Sequence, residues 1–326
     1  MSDEGIRRVS VVIPAYNAAS FIGEAIESVL GQSYRPIELV VVDDSSTDRT
    51  WEIISEFGTA VISERNEQNR GACYSRNRGM ELSSGDFLMF LDADDRIAPD
   101  TIEALVGVLQ STGGGLAASN WRFLVRVGAD WLPVDSGFSR EPPNDDYLLG
   151  WLEGWYVPPC ALLWSRKTLE GIGPWDESLA ANQDGDMVLR ALLAGTDIKR
   201  AEGGLALYRK FRGARHSISD TVSIPSVRSR SRVFSKVEQT LAAHGTLERY
   251  RVALGRSYYE LAREAYAVDF VTAEECEAEA WRLAGSNAAS GTLSHRLVAS
   301  LIGLGPKERF ASLLRKGIQG LRSVAG

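Results

Sequence analysis

The chain has 326 residues, of which 44% are hydrophobic and 24% charged, and a formal net charge of −7. The length suits one main domain with an extension. The apolar fraction argues against disorder, and the acidic balance argues against a general nucleic-acid binder. Three scattered cysteines, Cys73, Cys160 and Cys276, form neither a disulfide framework nor a zinc site. The first residues lack an apolar core of signal-peptide length, and no run reaches the about 18 apolar residues that span a bilayer. The expectation is a protein made and kept in the cytoplasm.

The elements alternate from the start. Val9 to Asn17, VSVVIPAYN, predicts a short buried strand ended by Pro14. SFIGEAIESVLGQ predicts a helix, with Phe21, Ile22, Ala25, Ile26, Val29 and Leu30 at helical spacing and Ser20 as N-cap. IELVVVDDSSTDRT is a second strand running into carboxylates and hydroxyls. DRTWEIISEFG is the next helix, capped by Asp48, and AVISER a third strand. GACYSRNRGMELSSG reads as helix and DFLMFLDADD as a fourth strand. A further helix starts near Pro99 and Asp100. This alternation indicates an α/β domain with a mostly parallel sheet. Ligands of such sheets bind at the carboxyl ends of the strands. PAYN, DDSSTD and DADD each sit at such an end, so they are expected to converge on one crevice.

Each cluster has its own chemistry. A hard cation such as Mg²⁺ or Mn²⁺ prefers carboxylate oxygen and commonly bridges to substrate phosphates. Period-two alternation points Asp92 and Asp94 the same way if the chain stays extended. Asp95 and Asp100 are expected to turn the chain and cap the helix. Asp43 and Asp44 can accept from a base N–H or a ribose hydroxyl. No GxGxxG follows the first strand and no GxxxxGK[ST] is present, so neither nucleotide fingerprint applies. FLDADD also mimics the Asp-x-Asp of haloacid-dehalogenase phosphatases. There the motif tends to open the domain. Here it ends the fourth strand, and Arg96 stands where a Thr or Val is usual.

Taken together and in order, VSVVIPAYNAASFIGEAIESVLGQSYRPIELVVVDDSSTDRT and NRGACYSRNRGMELSSGDFLMFLDADD resemble the family 2 glycosyltransferases of the GT-A fold, over roughly residues 9 to 212. The resemblance implies a Rossmann-like nucleotide-diphospho-sugar transferase domain. It also implies a nucleotide-sugar donor, a divalent metal on the diphosphate and inversion at the anomeric carbon. By matching motif, Pro14, Ala15, Tyr16 and Asn17 would line the nucleotide site, and Asp43 and Asp44 would meet base and ribose. Arg76 would lie near the donor. Asp92 would approach the ribose or the metal's water shell, and Asp94 would bind the metal.

The acceptor half is expected further on, in GIGPWDESLAANQDGDMVLRALLAG. The family places its catalytic base in an acidic pair that opens a helix. Here Gln183-Asp184 replaces the usual Glu-Asp, and Asp186 follows. Asp184 holds the base position, and Asp186 suits a first-turn charge. Trp155, Tyr156, Trp175, Asp176 and Glu177 are expected on the acceptor side. Arg209, Arg212, Arg215 and His216 form either a basic flap over the diphosphate or a solvated loop. From about Ser226 every segment reads as helix, so residues 1–220 are expected to form the GT-A domain and 221–326 a helical extension. The last helix sets Lys307, Arg309, Arg315, Lys316 and Arg322 against an apolar stripe. That pattern fits either an anionic membrane surface, which would make the protein peripheral on the inner membrane face, or packing onto the domain. The implied function is transfer of a sugar to a glycan or lipid-linked acceptor in polysaccharide biosynthesis. The alternative is a degenerate module of the same fold that only binds nucleotide or glycan.

Overall fold

A computed structural model describes residues 7–137, 141–142, 145–211, 222–289 and 304. The chain divides into two compact units. One comprises Met1–Glu141, Tyr156–Glu177 and Gln183–His216; the other comprises Pro142–Trp155, Ser178–Asn182 and Ser217–Gly326.

The first unit is built on β1 (Val9–Ala15), every residue of which is buried. A strand covered on both faces needs apolar residues without alternation, as this one has. It pairs in parallel with β2 (Ile37–Asp43) and β4 (Phe87–Phe90), and β2 pairs in parallel with β3 (Ile62–Arg65). These are the four strands expected from the sequence. The helices between them are α1 (Ile22–Leu30), α2 (Thr50–Glu56) and α3 (Ala72–Leu82). The N-caps differ in detail from expectation. Phe21, not Ser20, is the N-cap of α1, and it makes no side-chain cap bond. Arg49 is the N-cap of α2, while Asp48 reaches past it to accept from the Thr50 amide at 2.9 Å.

Beyond β4 the sheet continues with strands absent from the sequence reading. These are β5 (Arg96–Ile97), β6 (Leu116–Val127), β7 (Asp130–Val134) and β9 (Ile198–Lys210); β8 (Leu162–Ser165), in the segment CALLWS, joins them. The order is β3-β2-β1-β4-β8-β6-β9-β5, with β7 paired to β6. Helix α4 (Thr101–Thr112) follows β5, with Asp100 at its N-cap. Helices α6 (Arg166–Ile172) and α7 (Gln183–Leu193) complete this unit. The second unit contains α5 (Tyr147–Leu152), α8 (Ile224–Ala243), α9 (Leu247–Ala265) and α10 (Phe270–Ala284). Among the described residues no helix is long and apolar enough to cross a membrane. Residues 305–326, with the basic helix expected there, lie outside the described residues, as do Arg212, Arg215 and His216.

One close approach fixes where α3 lies. A Cβ added at Gly79 would stand 2.2 Å from Cγ1 of Val12 on β1. Both groups are buried, so neither can move aside freely. Gly79→Ala is therefore expected to destabilise the fold by about 1–3 kcal/mol despite the better helix propensity of alanine. Urea unfolding of the two proteins measures it.

Candidate active site

The ends of β1 and β2 are held together by their own polar groups. The Asp44 amide donates to the Ala15 carbonyl at 2.7 Å. Asn17, at φ 49°, donates its amide to Ser46 Oγ at 2.9 Å and accepts from the Thr47 amide at 2.8 Å through Oδ1. Pro14 and Ala15 lie under this clasp, and Tyr16 projects from it, 50% exposed.

The two adjacent aspartates have different surroundings. Asp44 is buried and fully engaged. Its Oδ1 accepts from Asn66 Nδ2 and the Arg70 amide, and its Oδ2 accepts from the Gly71 amide at 2.7 Å. It shapes the turn that launches α3. Asp43 is equally buried, but only Oδ2 is partnered, by the Ser46 amide and by Arg65 Nε at 3.1 Å. Its Oδ1 is sealed without a hydrogen-bond partner. A buried acceptor left unmatched costs about 1–3 kcal/mol, so of the pair it is Asp43 that keeps unused hydrogen-bonding capacity.

Arg76 joins the two halves of the site. Its guanidinium lies 2.6 Å from Asp92 Oδ1 and 3.9 Å from Asp184 Oδ1, and donates to Gln183 Oε1 at 3.3 Å. It stacks 4.5 Å over the Trp175 ring, which meets Phe90 edge-on at 4.9 Å. The side chain is only 5% exposed. The two carboxylates hold its pKa above the ordinary arginine value although burial alone would lower it.

Asp184 has one sealed oxygen, Oδ1, with no hydrogen-bond partner, while its side chain as a whole is 42% exposed. Burial, and then Asp92, lift its pKa to about 6 against the pull of Arg76. Asp186 is two residues on and quite different. It is buried, and pairs with Arg190 at 2.9 Å. Arg190 in turn donates to the carbonyls of Ile172, Gly173 and Pro174. The pair therefore ties the turn after α6 to α7. Asp186→Asn is expected to cost about 1–3 kcal/mol of stability, seen as a lower melting temperature, with most turnover per folded molecule retained.

Asp92, Asp94 and Asp95 lie in the turn between β4 and β5, where the Asp95 amide closes onto the Asp92 carbonyl at 3.0 Å. Burial and then Asp92 raise Asp94 to about 6. Asp95 is buried, accepts from the Arg209 amide at 2.8 Å and takes the Cys160 thiol as a donor; burial raises its pKa as well. Close carboxylates that resist ionisation favour a bound cation. Among the described residues no three His, Cys, Asp or Glu side chains are grouped to hold a metal by themselves. Asp94 with Asp92 nearby thus fits a cation shared with substrate phosphates rather than one caged by protein.

Several important residues were not apparent from the sequence. Arg209 forms neither the basic flap nor the solvated loop that its sequence suggests: the structure buries it fully in β9, between the rings of Phe21 and Trp131. There it donates to the Asp94 carbonyl at 2.6 Å and pairs with Glu24. Asn77 grips both the amide and the carbonyl of Trp175 and donates to Glu177, which also lies 3.9 Å from Arg70. Their only sequence signal was proximity to Arg76 and to the expected flap. On the acceptor side Trp175 and Trp155 are buried, so neither offers an open ring. Asp176 is half-buried beside Trp175, and Tyr156 is half-buried against Trp121, centroids 5.3 Å apart.

Residues 10–164 match the sequence model of Glycosyl transferase family 2. Over that stretch the chain is similar to the family 2 glycosyltransferases. The Escherichia coli UDP-Glc:alpha-D-GlcNAc-diphosphoundecaprenol beta-1,3-glucosyltransferase WfaP is 41% identical over 140 residues, covering 43% of this chain and 53% of that one. The chain spans about half the length of the curated relatives it matches first. The fold is GT-A, with helices at the C-terminus. S. aureus TarS with UDP-GlcNAc superposes with a TM-score of 0.60 at 17% identity, covering 86% of this chain and 90% of that chain. The mannosyltransferase PcManGT from Pyrobaculum calidifontis, solved with GDP-Man and Mn2+, gives 0.57 at 18% identity, covering 96% and 85%.

Proposed function

We propose that the chain is an inverting glycosyltransferase that moves a sugar from a nucleotide-sugar donor to a hydroxyl of a glycan or lipid-linked acceptor. The observation that carries this reading is the Asp92–Arg76–Asp184 arrangement, which sets a strand-end carboxylate and a basic carboxylate on one buried cation. The E. coli relative, whose name specifies a diphosphoundecaprenol-linked acceptor, supports the lipid-linked option.

On this reading Pro14, Ala15, Tyr16 and Asn17 line the nucleotide, and Asp43 Oδ1 accepts from base or ribose. Asp44 acts through the turn it shapes. Asp94, with Asp92 nearby, would hold Mg²⁺ or Mn²⁺ together with the donor diphosphate, where the ion would stabilise negative charge on the leaving group. Asp184 accepts the proton of the acceptor hydroxyl as it attacks the anomeric carbon from the face opposite the leaving group. Arg76 fixes the Asp184 carboxylate and moderates its basicity. A base with a pKa near 6 is ionised at neutral pH yet still takes a proton effectively.

Replacement of Asp184 by Asn is expected to lower turnover about 10²- to 10⁴-fold while nucleotide-sugar binding, read by thermal shift, is kept. Normal turnover by that variant would refute the assignment, and absence of turnover by the wild type would favour the binding module.

The pH profile provides an independent check. Asp184 must be ionised to act, and its pKa stands at about 6. At saturating donor and metal, kcat/KM for the acceptor is expected to be level above that pH and to fall about tenfold per unit below it, the slope of a single protonation. A profile flat down to pH 4.5, about 1.5 units below that pKa, counts against Asp184 as the base.

Removing the cation tests Asp94. Excess chelator is expected to abolish transfer, and Asp94→Asn is expected to weaken Mn²⁺-dependent nucleotide binding measured by calorimetry. Full activity in chelator rejects the metal.

A further inference from the structure

The outer end of the sheet presents two unlike faces. Alternate residues of a strand share a side, and so do paired residues of neighbouring strands. Leu124 pairs with Arg209 and Arg126 with Trp131, so this side carries Arg122, Arg126 and the buried Arg209. The other side carries Trp121, Phe123, Val125 and Val127 of β6, with Val134 and Leu132 of β7 opposite Phe123 and Val125. Tyr208 of β9 pairs with Phe123, the two rings 6.1 Å apart, and Trp121 contacts both. In these segments the only charged residues on this side are Asp130 and Lys210, which sit at its rim.

Exposure rises along this strip. Trp121 is 9% exposed, Phe123 and Val125 are half-buried, and Val134, Leu132 and Val127 reach 44, 47 and 52%. A core face would stay covered to its end, and a solvent face would carry the charges that here stand on the opposite side. From Trp121 to Val127 the strip runs about 20 Å at a rise of about 3.3 Å per residue. It is about two strands wide, or roughly 10 Å. That area, of order 200 Å², falls well short of the about 800 Å² per partner that a stable protein–protein interface buries. A second copy of the chain is therefore a poor occupant. A single flexible hydrocarbon chain is narrow and long enough to use it.

The strip also passes beside the candidate site. Tyr208 adjoins Arg209, whose amide holds the Asp95 carboxylate. Resting on the lipid-linked acceptor proposed above, we infer that the Trp121–Val127 face of β6 and β7 binds the polyisoprenyl chain of that acceptor. Phe123 and Tyr208 lie level with Asp95, and the aliphatic end leads outward. The acceptor's phosphorylated head would thus be delivered at the level of Asp95 while its chain lies along the strip.

The test compares two probes in the same detergent micelles, undecaprenyl phosphate and geranyl phosphate, which share a head group and differ in chain length. The wild-type full chain is expected to bind the long probe at least about tenfold more tightly, because each further buried methylene adds affinity. The double variant Leu132→Ser, Val134→Ser alters exposed positions and is expected to fold, with most of this preference lost. A wild type that does not distinguish the probes, or a variant that keeps the full preference, overturns the inference. So does analytical ultracentrifugation showing a wild-type dimer that the variant converts to monomer, since the strip would then join copies of the chain. Thermal shift with UDP-glucose and GDP-mannose in Mn²⁺ is read in parallel on both proteins. It reports the transferase reading alone, so failure of that reading and failure of the strip are separately visible.

Discussion

The site depends on the burial of one guanidinium. Arg76 is almost wholly removed from water, a state that is costly unless opposite charge and hydrogen bonds replace the lost hydration. Asp92 and Asp184 supply the charge, Gln183 a neutral acceptor and Trp175 a ring face. None of these positions can be vacated cheaply while Arg76 remains. The cation therefore sets the separation between the end of β4 and the start of α7. It also acts on the chemistry. With Arg76 nearby, Asp184 is held to about 6 even though burial and Asp92 both push it upward.

Gln183 fits the same account. A second carboxylate at that position would add negative charge beside Asp184 and compete for Arg76. The amide oxygen still accepts from Arg76 at 3.3 Å without doing so. The departure from the usual family pair is thus compatible with an ordered site. Asp186, the other candidate base, is occupied by Arg190 and by the carbonyls that Arg190 gathers.

The sequence was most legible where one physical requirement dominates. Strands β1, β2 and β4 are parallel and largely buried, so hydrophobic runs ended by polar clusters revealed them. The outer strands were not legible. β6 carries Arg122 and Arg126 in its outer half, and β9 contains Gly203 and Gly204, where Gly204 takes φ 78° and lies against Thr101. Neither reads as a simple apolar run. Residue roles were harder again, since they depend on partners distant in sequence. Asp43 and Asp44 are identical neighbours, yet three donors from residues 66–71 saturate one and leave an oxygen of the other alone. Arg209 looked like part of a charged loop because its partners, Glu24, Asp94, Phe21 and Trp131, come from four separate segments.

The close seating of α3 on β1 has a consequence for how this protein can be altered. Cys73, Arg76 and Asn77 all project from that one short helix, Arg76 toward Asp92 and Asp184, Asn77 toward the Trp175 backbone. The contact at Gly79 leaves the helix no room to slide. The Asp92–Arg76–Asp184 cluster and the Trp175 turn are thereby mechanically geared to one another: a rigid shift of α3 changes both at once. On the function proposed above, a change in α3 therefore moves donor and acceptor preference together.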